Sequence, residues 1–131
     1  TLGQAYRINI SMSAISETIM SATTHPGDST VETVEGTAYK GDGYYSRADG
    51  FHTAQITVAG FIGTIKLQAT LATTPTATDW FDISGVTHTS TATTDAEADG
   101  SKVFNFTGNF VWVRAHLVYT DGSINSVKLN H

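Results

Sequence analysis

There is no cysteine among the 131 residues of this chain. That excludes a disulfide framework, a thiolate metal site and a catalytic thiol, and it gives no support to an oxidising compartment. Charge is scarce as well: 7 basic and 12 acidic side chains leave a formal charge of −5, and only 15% of residues are charged. Lys and Arg nowhere gather into a run that would track a phosphate backbone, so nucleic acid is not an expected partner. Long apolar runs are missing too. The longest is about four residues, against the roughly 20 that a spanning helix needs, so no membrane partner is expected. The opening TLGQAYRINI lacks the charged and apolar regions of a signal peptide, from which we expect a soluble chain not exported by a signal of its own.

Catalytic signatures are equally absent. The histidines at 25, 52, 88, 116 and 131 fall in no HExxH spacing, no GxSxG elbow exists, and the glycines sit in turns instead of between a strand and a helix as a phosphate loop requires. Asp79 and Asp82 flank Trp80 and Phe81 and invite comparison with the carboxylate pair of a glycosidase, but Asp79 fits the entry turn of a strand better. No catalytic residue is assigned, no cofactor is expected, and the chain reads as non-enzymatic.

What is present is alternation. Ala54, Ile56 and Val58 oppose Thr53, Gln55 and Thr57; Ile65, Leu67, Ala69 and Leu71 oppose Thr64, Lys66, Gln68 and Thr70. Both are half-buried strands, and Gly60-Phe61-Ile62-Gly63 between them predicts a turn that pairs them. Trp80–Ile83 begins a third strand, after which Ser84–Gly100 reads as a long polar excursion with a short edge strand near Val86. Lys102–Thr107 puts Phe104 and Phe106 on one face; Phe110–Tyr119 does the same with Val111, Val113, Ala115, Leu117 and Tyr119, leaving Trp112, Arg114, His116 and Val118 opposite. Gly108-Asn109 and Asp121-Gly122 carry hairpin chemistry, so the last strands are expected to form a three-stranded C-terminal meander.

Upstream, Tyr6–Ser13 alternates as a strand, Ala14–Ala22 fits strand or irregular structure, and His25-Pro26-Gly27-Asp28 is a turn. Thr30–Thr37 reads as an edge strand blunted by Glu32 and Glu35, and Lys40–Gly50 as a loop in which Asp42 and Asp49 form turns. The total is about seven or eight strands and no convincing helix. The expected fold is an all-β antiparallel sandwich, jelly-roll-like, in one domain spanning 1–131, with 1–40 as a possible arm or set of extra edge strands. At this length folding buries roughly two-thirds of the unfolded surface without staples.

Two clusters suggest sites. Asp95, Glu97 and Asp99, followed by Gly100, resemble the start of a calcium loop, but Phe106 stands where the bidentate Glu belongs. A solvated acidic loop is the ordinary reading, and no metal is assigned. Tyr44, Tyr45, Trp80 and Trp112, with Arg114 and His116, are candidates for a protein interface or a glycan platform, since aromatic rings serve both. The sequons at Asn9 and Asn105 carry no weight without a secretory signal.

GFIGTIKLQATL (60–71), TDWFDI (78–83) and NFTGNFVWVRAHLVYTDGSINSVKLNH (105–131) resemble a recurring domain of small virion structural proteins of tailed bacteriophages, notably myophage-type phages of marine cyanobacteria. The resemblance covers roughly Gly43–His131 and rests on structural motifs. It implies a β-sandwich part of a head, neck, baseplate or fibre, assembled in the host cytoplasm into a virion. Other virion proteins would be its partners, and a homo-oligomer or many symmetric copies its state. The alternative expectation is a carbohydrate-binding module for host-surface attachment.

Overall fold

The computed structural model describes residues 16–46 and 50–131. The strand expected over Tyr6–Ser13, the beginning of the Ala14–Ala22 segment and the turn residue Asp49 lie outside them. The strands are β1 (Glu17–Met20), β2 (Thr23–Thr24), β3 (Glu32–Glu35), β4 (Tyr39–Lys40), β5 (Phe51–Thr70), β6 (Phe81–Ser90), β7 (Gly100–Thr107) and β8 (Trp112–Asn130). Turns of 3₁₀ helix occupy Asp42–Tyr45 and Ala96–Ala98, and the described residues contain no α-helix. All eight strands belong to one antiparallel sheet.

Its spine is β5 and β8, paired along their length from Thr53 opposite Asn130 to Thr70 opposite Trp112. The outer side of β8 is lined in succession by β1, β2, β3 and β4, which together act as one interrupted edge strand. The outer side of β5 is covered by β7 over its first half and by β6 over its second. Midway along the spine the register slips between Ala59 and Gly63. There Gly60, Gly63 and Gly122 all hold positive φ, at 58°, 152° and 84°. A Cβ on Gly122 would come within 2.6 Å of the Phe61 Cα and nearer still to the Gly60 carbonyl. Only glycine lets the two strands cross this closely in that conformation, and bulges sharpen a local bend.

The sheet folds over at this crease. Ala54, Ile56, Val58, Val127 and Leu129 from one half, and Ile65, Leu67, Ala69, Val113, Ala115 and Leu117 from the other, form a single cluster, none of them more than 3% exposed. A flat sheet would leave that face in water; burying each large aliphatic side chain instead contributes about 1.5–3 kcal/mol. Phe61, at the crease itself, packs toward Tyr119 and His88 at ring-centroid distances of 6.3 and 6.0 Å. The architecture is therefore the expected all-β antiparallel sandwich, with a crease at one end and the ends of both long strands together at the other, open end.

The turn assignments are corrected. Gly60–Gly63 does not close a hairpin, because residues 51–70 are one strand. Asp121-Gly122 lies inside β8, and β7 pairs with β5 instead of β8, so the C-terminal meander does not form. The supposed excursion after Ile83 continues as strand to Ser90, because Val86, His88 and Ser90 turn inward on alternate positions. Leu71 leaves the alternation and is 65% exposed.

Candidate functional site

The open end is aromatic. β5 begins there with Phe51 and ends there before Leu71; the β7–β8 connection brings Phe110, and β6 brings Phe81. Phe110 links the two layers, with Phe81 at 5.9 Å and Phe106 at 6.3 Å between ring centroids. Phe51, Asn105 and Phe106 line one cleft of about 410 Å³. Phe81, Phe106 and Phe110 line a neighbouring one of about 490 Å³. Phe51 is 68% exposed, too much for a side chain whose purpose is packing.

Tyr44 and Tyr45 join this rim from the 3₁₀ turn after β4. The turn is held against the β7–β8 connection by Gly41 N–H to Val111 O and Gly43 N–H to Phe110 O, both 2.9 Å. A Cβ at Gly43 would lie 2.9 Å from the Phe110 carbonyl, so the close approach depends on glycine. Tyr44 meets Tyr45 at 5.5 Å and 74°, and Trp112 at 5.2 Å and 64°. Lys40 Nζ lies 4.6 Å from the Tyr44 ring centroid, a cation–π contact. The Trp112 indole N–H donates to Thr73 O at 3.0 Å.

From this rim a polar network runs across the outer face of the second layer, where β3, β8, β5 and β6 lie side by side. Arg114 is its hub: Nε donates to Gln68 Oε1 at 3.0 Å, Nη2 reaches Glu35 Oε2 at 3.2 Å, and the guanidinium lies 4.3 Å from the Trp80 ring centroid. Gln68 Nε2 and Lys66 Nζ then donate to the two oxygens of Asp82 at 3.0 and 2.9 Å. The Gln68 amide, and after it Lys66, hold the Asp82 carboxyl below the ordinary carboxylate range. His116 Nδ1 lies 3.6 Å from Glu35, too far for a hydrogen bond.

The six residues singled out by sequence, Tyr44, Tyr45, Trp80, Trp112, Arg114 and His116, thus share one side of the molecule. The sequence did not single out Phe51, Leu71, Phe81, Phe106 and Phe110 as part of it. Its one available signal was that Trp80 and Phe81, as strand neighbours, must face opposite ways; Trp80 covers Arg114 and Phe81 joins the rim. The acidic trio behaves as loop structure: Asp95 accepts from Thr91 and Ala92, which lowers its pKa through Thr91 first, and Asp99 accepts from Gly60 N–H. Asp79 accepts from Thr76 as an entry turn. Asp42, read as a turn former, instead sends its carboxylate inward to His131 at 2.7 Å.

Chemically the face offers stacking, apolar insertion and charge-assisted hydrogen bonds. Its acids are engaged by Arg114, Gln68 and Lys66. No helix in the described residues is long and apolar enough to cross a membrane. No protein-family model, curated protein or solved structure matches this chain.

Proposed function

We propose that this chain is a non-enzymatic virion structural protein that docks on other virion proteins through its aromatic open end. The observation that carries the docking reading is the gathering at one end of Phe51, Leu71, Tyr45, Phe81 and Tyr44, five of the seven exposed large hydrophobic residues among those described; Val31 and Val103 are the other two. An apolar rim bordered by an Arg-centred polar network has the make-up of a protein interface: aromatic and Arg anchors within a polar surround. The placement in a phage particle rests on the sequence resemblance. Repetition in a symmetric particle would let modest contacts hold by avidity.

The test is co-sedimentation of the purified chain with particles that lack it. Saturable binding at a copy number matching a symmetry class, lost in Phe51→Ser/Phe81→Ser, is the expected result. A folded wild-type chain that ignores the particles would overturn the reading. A carbohydrate-binding module is the second reading, favoured by the exposed Tyr44 and Tyr45 beside Lys40. The steep angles between Tyr44, Tyr45 and Trp112 suit insertion of side chains better than flat stacking of sugar rings. Tryptophan fluorescence unchanged across a panel of glycans is therefore expected; a saturable shift would favour the module.

A further inference from the structure

Beneath the rim, and meeting one of its clefts at His52, four strand ends converge on a buried cluster. Asp42, His52 and His131 each present a donor atom, all within 4.8 Å of one another. Asp42 is 1% and His52 2% exposed, and the His131 side chain is 10% exposed. His131 Nδ1 contacts Asp42 Oδ1 at 2.7 Å and its Nε2 lies 3.2 Å from Glu17 Oε1. His52 Nδ1 sits 2.8 Å from Gly50 O. A carbonyl can only accept, so His52 Nδ1 carries a proton, and in the neutral ring Nε2 is the ligating atom. A backbone carbonyl that fixes the tautomer in this way is the usual outer support of a metal-binding histidine.

The surroundings agree with that use. His52 stacks on Phe106 at 4.9 Å and on His131 at 5.5 Å, with Phe110 tilted against it at 5.8 Å. These rings form an apolar wall on one side of the donors. Two imidazoles and a carboxylate are the donor set of first-row transition ions; calcium and magnesium prefer oxygen alone.

We propose that Asp42, His52 and His131 form a binding site for a divalent transition ion of the zinc type, with Glu17 as the outer partner that orients His131 through its other ring nitrogen. Bonds of about 2.0 Å at tetrahedral angles put donors about 3.3 Å apart, so a donor pair at the 4.8 Å limit closes by about 1.5 Å while the 2.7 Å His131–Asp42 pair opens by about 0.6 Å. The ion displaces the proton between His131 and Asp42, and it ties β1, the turn after β4, β5 and β8 together directly beneath the rim. Bound there, it fixes the open end from beneath.

The test is titration of the untagged, chelator-treated full chain with Zn²⁺ by calorimetry. One ion per chain is expected, with a higher melting temperature. His131→Gln and Asp42→Asn, each checked for folding by circular dichroism, should weaken binding by about tenfold or more. Electron paramagnetic resonance of the Cu²⁺-loaded wild-type chain needs no variant, and coupling to two imidazole nitrogens is expected. Absence of saturable binding, affinity unchanged in both folded variants, or coupling to fewer than two nitrogens overturns the proposal and leaves His131–Asp42 as a structural hydrogen bond alone.

Discussion

The crease predicts a graded response to adding one methyl group at glycines of the same backbone conformation. Gly85 and Gly122 both hold positive φ, 80° and 84°. A Cβ on Gly85 would meet nothing within 4 Å, whereas one on Gly122 would run into the backbone of Gly60 and Phe61 across the fold. Gly85→Ala should therefore cost only the left-handed conformation, about 1–2 kcal/mol. Gly122→Ala carries the same cost plus overpacking against rigid backbone, about 1–3 kcal/mol more, for a total of about 2–5 kcal/mol. Urea unfolding of the two variants and the wild type, followed by tryptophan fluorescence and circular dichroism, measures both. If Gly122→Ala costs no more than Gly85→Ala, β5 and β8 do not cross closely at Gly60 and Gly122, and the folded-over sheet is wrong.

Three further perturbations bear on the outer face and the core. Arg114→Ala leaves Glu35 and Gln68 without their shared donor and uncovers Trp80; a loss of about 1–3 kcal/mol and a red-shifted tryptophan emission are expected, and an unshifted emission would contradict the stacking. Asp82 has a depressed pKa in the fold, so its contribution is present above the ordinary value of 3.8 and is lost as pH falls through the lower folded value. Its side chain is 53% exposed, so Asp82→Asn should cost only about 0.5 kcal/mol or less at neutral pH and should flatten the acid limb of stability against pH. Burial, and then the charge of Glu32, raise the Tyr119 pKa above 10.0. Its contribution is therefore complete below pH 10 and is lost as pH rises through the folded value; Tyr119→Phe should remove that alkaline loss, measured by melting between pH 8 and 11.

The side-chain alternation was legible because it is local. Ala54, Ile56 and Val58, Ile65, Leu67 and Ala69, and Val113 to Tyr119 all face the core as their spacing requires. The connectivity was not. Gly60, Gly63 and Gly122 supply the same positive φ to a two-residue hairpin and to a crease in a continuous strand. What separates the two is the register of β5 against β8, set by residues some 60 positions apart. The matched lengths of the two runs, each interrupted by glycine near its middle, carried a trace of it. The same distance hid the buried cluster, because Asp42 and His131 have no spacing motif and meet only once the sheet has folded. The aromatic face was half visible: single rings stood out, but their gathering at one end follows from the fold.

The central claim is that the open end is an interface. Hydrogen–deuterium exchange on the chain alone and on the chain bound to the particles proposed as its partner tests it most directly. Slowed exchange on assembly in Gly41–Ser46, at Phe51 and Phe81, and across Asn105–Phe110 is the predicted result. Slowing confined to the crease around Gly60 and Gly122, with the aromatic end exchanging as in the free chain, would contradict it.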